Sequence, residues 1–119
     1  MGIDKEHILP AYNFSTLSVF EILKHVERAG FMDNKDYKNI IPISLERNCG
    51  VFTKAIVGLE YPRISVVQMS DRIVTSCSCQ NYSKKMCEQQ GETIHAILEK
   101  PEYRVFFDAT LREKTLKQF

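Results

Sequence analysis

The residues of this sequence that could most directly do chemistry are Cys77, Cys79 and Cys87, three cysteines within eleven residues. Thiolates are strong zinc ligands, and three of them this close along a chain can meet at one tetrahedral ion. A strand-like run precedes them and a helix-like run follows, so the first two would lie on a tight turn and Cys87 at the start of a helix. The sequence therefore predicts that a bound metal would be tetrahedral zinc with these three thiolates as ligands.

The fourth ligand is open, and His95 and Cys49 are the candidates among the remaining residues. If a helix begins at Cys87, the eight residues to His95 span about 12 Å, whereas two ligands of one zinc ion lie only about 4 Å apart. His95 could therefore join Cys87 only if the helix began near Glu92, and we favour a partly buried or surface helix histidine. Cys49 is typical of a small buried hydrophobic residue. A water molecule could also be the fourth ligand, or the three thiols could hold no metal at all.

Three predicted strands must position the cysteines. The runs 51–58, 63–69 and 72–77 are rich in branched and aromatic residues and are separated by turn signals, a pattern typical of β-strands. Short links between sequential strands favour an antiparallel meander, and such a sheet needs a helix to cover its apolar face. The third strand delivers Cys77. The segment 1–14 is predicted to be loose, and 31–50 to form a turn and an extended connection.

Helical periodicity predicts three helices, near 16–29, 87–99 and 102–117. In the first, Ser18 with Glu21 three residues later matches a capping box. The fold class is therefore α+β: a three-stranded antiparallel sheet packed with about three helices. Charged neighbours of His25 predict a solvated helix face there. The residues predicted to be buried are Val19, Leu23, Ile56, Val66, Ile73, Ile97 and Phe106.

The composition suits one folded domain that covers 1–119. Its 119 residues are 44% hydrophobic, enough for a modest core, and 26% charged. We find no apolar run long enough to cross a membrane and no signal peptide, so we expect a cytoplasmic protein with no membrane partner. In that reducing compartment, clustered cysteines are more often metal ligands or thiols than disulfides.

A small basic and aromatic group lies beside the cysteines. Lys84 and Lys85 adjoin Tyr82 in the sequence, and Arg63 and Arg72 begin the two predicted strands before them. Solvated charge is the commoner role for such lysines, and phosphate contact is the alternative. Because the net charge is only +1, these residues predict weak binding of DNA by the isolated domain.

The residues from about 63 to 98 resemble a SWIM zinc finger. That family has two strands, a Cys-x-Cys pair, a variable spacer and a Cys-x-His pair that leads a helix. Here Cys77-Ser-Cys79 matches the first pair, and Cys87-Glu-Gln89 stands where Cys-x-His is expected. The resemblance implies a zinc-binding ββα element, in which Gln89 replaces the expected histidine and is a poor zinc ligand.

The flanking residues Phe106-Phe107 and Leu111-Arg112 resemble the amino-terminal region of bacterial Swi/Snf-type ATPases. This resemblance implies a non-catalytic accessory module of an ATP-dependent DNA helicase or remodeller, with the motor in the remainder of a longer chain. The sequence has no phosphate-binding Gly-rich Lys-Ser/Thr loop of its own. Because no cap follows the last predicted helix, we expect these residues to be the front of that longer chain.

Two further functions are compatible with the sequence. The first is a stand-alone zinc-binding adaptor that contacts proteins through the hairpin face. The second is a thiol redox enzyme that uses Cys77 and Cys79, but the Cys-x-Cys spacing differs from the Cys-x-x-Cys motif at a helix start. We therefore expect no catalysis from this chain.

Overall fold

The computed structural model describes residues 5–10, 12–26, 39–54, 63–78 and 85–117. Within these ranges the chain is α+β, with one five-stranded antiparallel sheet in the order β1-β5-β4-β3-β2 and four helices. The strands are β1 (Lys5–Pro10), β2 (Ile40–Glu46), β3 (Cys49–Lys54), β4 (Ile64–Gln68) and β5 (Arg72–Cys77). The helices are α1 (Val19–Leu23), α2 (Glu88–Glu99), α3 (Pro101–Arg104) and α4 (Ala109–Lys117). None of the helices in these ranges is long and apolar enough to span a bilayer.

The α+β class is confirmed, but the three-stranded sheet is too small. The three predicted strands are present as β3, β4 and β5, and residues 55–58 of the first prediction lie outside the described part. β1, in the segment predicted to be loose, pairs with β5 at one edge of the sheet. β2, predicted as an extended connection, pairs with β3 at the other edge. Pro42 is tolerated in β2 because this is an edge strand, and the register shifts between Pro42 and Ser44.

The core lies between one face of the sheet and the helices. Burial alternates along β3, β4 and β5, as expected when one face packs inward. Of the residues predicted to be buried, Val66, Ile73 and Ile97 are fully buried. Val19 and Phe106 are only half-buried. The side chains of Leu23 and Ile56 lie outside the described part.

α1 is much shorter than the predicted helix 16–29. It begins after Ser18, whose hydroxyl accepts a hydrogen bond from the Glu21 amide, as the capping pattern predicted. The chain then turns, and Val26 forms a parallel bridge with Met86. The amide of Met86 donates to the His25 carbonyl at 2.7 Å, so this extended pairing ends the helical hydrogen-bond pattern. Residues 27–29 lie outside the described part.

The predicted helix 102–117 is two helices, α3 and α4, with a turn between them. The turn places Phe107 rather than Phe106 in the core, where its ring lies 5.1 Å from that of Phe14 and 6.3 Å from that of Phe52 between centroids. A Cβ on Gly50 would lie 3.0 Å from Phe107 Cζ and 2.8 Å from Phe52 Cε2. Glycine is therefore needed in β3 for these rings to approach the strand. α2, by contrast, agrees with the predicted helix 87–99.

Candidate functional site

Two of the three predicted zinc ligands lie at a junction of strand and helix. Cys77 is the last residue of β5, between Ile64 of β4 and Lys5 of β1. Cys87 is the N-cap of α2. Both residues are buried. Cys79 lies outside the described residues, so the structure describes two members of the predicted trio.

Gln90 connects the start of α2 to β5. Its side-chain carbonyl accepts a hydrogen bond from the Cys87 amide at 3.0 Å, and its amide nitrogen donates to the Thr75 carbonyl at 3.2 Å. Gln90 is fully buried. We call Thr75, Cys77, Cys87 and Gln90 the cysteine corner. Because the corner joins the helix start to the residue two positions before Cys77, it brings the two cysteine-bearing segments together.

The sequence interpretation singled out Gln89 and missed Gln90. Gln89 is half-buried on the first turn of α2, and its backbone carbonyl accepts a hydrogen bond from Thr93. The sequence signal that could have identified Gln90 is its spacing from Cys87. The two residues are three positions apart, as in a capping box in which a cysteine replaces the serine. The glutamine side chain makes the return contact of that motif.

His95 is a buried histidine on α2, 7% exposed. Its Nε2 lies 3.7 Å from Glu99 Oε1. Burial lowers the pKa of His95, and the charge and hydrogen bond of Glu99 oppose this effect. α2 is continuous from Glu88 to Glu99, so the unwinding that would bring His95 to Cys87 does not occur here.

Cys49 is far from the cysteine corner. It pairs with Val67 of β4, whereas Cys77 pairs with Ile64 on the other side of that strand. β3 and β5 are about 10 Å apart across β4, and the three-residue offset adds about 10 Å along the strand. Cys49 also alternates with the buried Gly50, so it faces the opposite side of the sheet. Cys49 and Cys77 cannot be ligands of one zinc ion in this arrangement.

The described residues hold no group of three or more His, Cys, Asp and Glu side chains that could bind a metal ion. The predicted ligand set includes Cys79, which is not among them. A zinc site with Cys77, Cys79 and Cys87 therefore stays a prediction. His95 lies too far along the continuous α2 from Cys87, and Cys49 too far from Cys77, for either to be the fourth ligand without a rearrangement of the fold.

The candidate nucleic-acid residues do not all lie together. Arg63 is exposed beside the end of β5, where its amide and carbonyl hydrogen-bond to Ser78. Arg72 begins β5, so it lies at the opposite end of the hairpin, and its Nε contacts Asp71 Oδ1 at 3.0 Å. Lys85 is exposed shortly before α2. Lys84 and Tyr82 are outside the described residues.

Sequence reasoning missed a pair of histidines next to the cysteine corner. His25 is half-buried in the turn after α1, not on a solvated helix face, and its Nδ1 lies 3.4 Å from Nε2 of His7 on β1. Burial is the main cause that lowers the pKa of His25, followed by the charge of Lys24; smaller effects of Glu21 and Lys85 oppose each other. The two histidines are eighteen residues apart, so no local pattern indicates the pair.

A buried ion pair was also not predicted from the sequence. Lys54 Nζ, at the end of β3, lies 3.3 Å from Glu92 Oε2 on α2, with side-chain exposures of 7% and 5%. Removing one partner of such a pair leaves a buried charge uncompensated. This contact joins the sheet to α2, the helix that carries Cys87 at its start.

Comparisons of the chain with protein-family models, with curated proteins and with solved structures give no match. The resemblance to SWIM zinc fingers therefore stays a prediction from the sequence.

Proposed function

We propose that the chain is a non-catalytic, SWIM-like accessory module of a bacterial Swi/Snf-type ATP-dependent DNA helicase or remodeller, which contacts nucleic acid or protein in the cytoplasm. The observation that carries the proposal is the cysteine corner. The β4–β5 hairpin ends at buried Cys77, and α2 begins directly after buried Cys87. This is the order and the junction that the ββα resemblance implies.

In this proposal Cys77, Cys79 and Cys87 hold a zinc ion. The chemistry of the donors fits, because thiolates are preferred zinc ligands. Cys87 lies at the N-terminus of a twelve-residue helix, whose partial positive charge favours an anionic thiolate. A metal at this junction would stabilise the fold by joining the end of β5 to the start of α2.

Several polar groups of the described residues have structural roles, as expected in the non-catalytic module that we propose. Gln90 joins α2 to β5, and Lys54 joins β3 to Glu92 of α2. Arg104 contacts Asp108 at 2.9 Å and donates to the Phe14 carbonyl at 3.1 Å. Gln90 and Lys54 therefore connect elements of the fold, and Arg104 connects α3 to the residue before α4 and to the turn before α1, so these polar groups have structural roles.

Nucleic acid is the partner we favour, through the exposed Lys85 and Arg63 with Lys84 and Tyr82. A chain with a net charge of +1 makes few phosphate contacts, so it binds DNA at roughly 10⁻⁴ M or more weakly at physiological salt. In the longer protein the module therefore adds avidity to an attached motor instead of reading a DNA sequence.

A zinc-binding protein adaptor is the second candidate, and one observation favours it. On β2, Ile41 lies on the outer face of the sheet and Ile43 lies at the irregularity of the strand, and they are 42% and 49% exposed, whereas Ile8, 43% exposed, lies on β1 at the opposite edge of the sheet. Adjoining exposed apolar side chains mark a protein contact surface, whereas single ones are normal, so Ile41 and Ile43, which lie close together on β2, are the residues that favour this candidate. In this second candidate the outer face, and not the residues around Lys85, would bind the partner.

The test compares DNA binding by the longer protein and by a Lys85→Glu variant. Lys114→Glu is the matched control, because it makes the same change of charge at an exposed position on α4. We expect Lys85→Glu to weaken binding uniformly across DNA sequences and to reduce the salt dependence by about one phosphate contact. Lys114→Glu should leave both unchanged.

If Lys85→Glu and Lys114→Glu bind DNA with equal affinity, the residues around Lys85 are not the DNA-binding surface. A coding region without an ATPase motor after Phe119 would favour the adaptor. In that case, substitution of Ile41 by Asp should abolish capture of the partner protein.

A further inference from the structure

Two imidazole rings face each other at the edge of the sheet. Nε2 of His7 and Nδ1 of His25 are 3.4 Å apart, while the ring centroids are 5.5 Å apart and the ring planes are inclined by 69°. The rings are therefore not stacked, and one ring nitrogen of each lies close to a ring nitrogen of the other. The distance is longer than the usual 2.9–3.0 Å of a strong N–H hydrogen bond, so the contact is a weak one.

The same distance suits two ligands of one metal ion. Zinc binds histidine nitrogen at about 2.0–2.1 Å with tetrahedral geometry, which places two such nitrogens about 3.3–3.4 Å apart. The observed separation of 3.4 Å falls in this range. The spacing of the two nitrogens therefore suits one ion, and both rings must turn so that their lone pairs meet at a point beside the line that joins the nitrogens.

The backbone fixes both histidines before any metal arrives. His7 is in the middle of β1, which pairs with β5 over its whole length and places His7 opposite Thr75. The carbonyl of His25 accepts the Met86 amide at 2.7 Å, and its ring packs edge-on against Tyr12 with centroids 5.6 Å apart. Such preorganisation reduces the entropy lost on binding. Both histidines are half-buried, so solvent reaches the pair.

We propose that His7 and His25 form a binding site for one divalent transition-metal ion of the zinc, nickel and copper class. Imidazole is a favoured ligand for these metals. Among the described residues no third His, Cys, Asp or Glu completes a cluster, and water commonly occupies the open coordination positions of such ions. The site uses no cysteine and is independent of the predicted zinc site.

Binding requires a shift of one proton. If the contact of the metal-free pair is a hydrogen bond, one of the two facing nitrogens carries a hydrogen and the other accepts it. Both facing nitrogens must present a lone pair to the ion. The ring that carries this hydrogen therefore changes tautomer and holds the proton on its other nitrogen, Nδ1 of His7 or Nε2 of His25. Neither ring changes its charge.

Nearby charges set the affinity. Lys24 and Lys85 act on His25 as positive charges, and Glu21 acts as a negative one. The same lysines oppose the approach of a dication, and Glu21 favours it. Burial also keeps the His25 ring neutral by lowering its pKa, which reduces competition from protons.

The test is a calorimetric titration of the chain with Ni²⁺, for the wild type and for His7→Gln and His25→Gln. The chain has three histidines, and His95→Gln is the matched control. We expect each variant of the pair to lower by about 100-fold the affinity of the nickel-binding step that gives no thiolate absorption band, since the second ligand acts at a high effective concentration. His95→Gln should keep the wild-type affinity. Equal affinity of wild type and His7→Gln, or loss in only one of the two variants, overturns the proposal.

Two further measurements keep the test decisive if a glutamine variant does not fold. In the wild type, Ni²⁺ should broaden the ring resonances of His7 and His25 at lower metal concentration than those of His95. Equal broadening of the ring resonances of all three histidines overturns the proposed site.

In Lys85→Glu, nickel binding should tighten by about two- to fivefold, and unchanged or weaker nickel binding also overturns the proposed site. The nickel–thiolate absorption band should be the same in all histidine variants, which separates this site from the cysteines.

Discussion

The cysteine corner and the histidine pair are neighbours that differ in how the chain builds them. Cys77 and Cys87 are ten positions apart and flank one short connection between β5 and α2. His7 and His25 meet because β1, the first strand of the sheet, pairs with β5 and so lies beside the turn after α1. Local spacing therefore indicates the first site, while the second depends on long-range pairing.

The two regions also differ in burial. The cysteine corner is closed, since Cys77, Cys87, Gln90 and Thr75 are all at most 1% exposed. The histidine pair is half-buried at an edge of the sheet. A change in the corner should therefore alter stability most, and a change in the histidine pair should mainly alter its response to metal or protons.

The largest expected effect comes from breaking the cysteine corner at Gln90. Gln90→Leu keeps the size of the side chain but leaves the Cys87 amide and the Thr75 carbonyl buried without this partner. We expect a loss of about 2–4 kcal/mol in the free energy of unfolding, measured with urea. Gln89→Leu is the matched control on the adjacent, half-buried position, and it should change stability by less than about 0.5 kcal/mol. Similar losses in both variants would show that Gln90 does not anchor the helix.

A smaller effect should follow from restoring the histidine that the SWIM resemblance expects. Gln89→His adds a possible fourth ligand on the first turn of α2. Zinc affinity should rise, and at a fixed excess of zinc each tenfold gain in affinity adds about 1.4 kcal/mol to the free energy of unfolding. The gain should vanish after chelation, which is the control. A variant with unchanged zinc affinity would argue against this position as the family's fourth ligand.

The smallest expected effect is on the pH dependence of the free energy of unfolding. Burial lowers the pKa of His25 and of His95 below the ordinary 6.5, so between each folded-state pKa and 6.5 the unfolded chain binds more protons than the folded one. The stability contributed by neutral histidine is therefore complete above about pH 6.5 and is lost as the pH falls through that window. His25→Gln and His95→Gln should each flatten the fall in stability, measured by urea unfolding at several pH values. A steeper fall in either variant would contradict the assigned direction.

The sequence predicted the part of the fold that is built from local patterns. Strands β3 to β5 follow one another along the chain with alternating burial, and α2 has a clear apolar stripe, so the sequence pattern predicted these strands and this helix. β1 was not predicted, because it is short, ends in Pro10 and pairs with a strand more than sixty residues away. β2 contains Pro42 and a register shift, which hide its alternation.

The candidate site was predicted to a similar extent. The positions of Cys77 and Cys87 at a strand end and a helix start followed from periodicity alone. Gln90 was missed because glutamine on a helix usually faces water, and only the three-dimensional junction gives its side chain two buried partners. Whether Phe106 or Phe107 is buried in the core depends on the turn between α3 and α4. Helical periodicity does not apply to a turn, so the sequence pattern pointed to the wrong phenylalanine.

The most direct test of the central claim is a Co²⁺ titration of the chain that records thiolate-to-metal charge transfer. Three thiolate ligands should give a band that loses about one third of its intensity in Cys77→Ser, in Cys79→Ser or in Cys87→Ser, with Zn²⁺ displacing the cobalt. Cys49→Ser should leave the band unchanged, because Cys49 lies two strands away from Cys77 on the other face of the sheet. Absence of the band in the wild type, or an equal loss in Cys49→Ser, would contradict the assignment of these cysteines as one metal site.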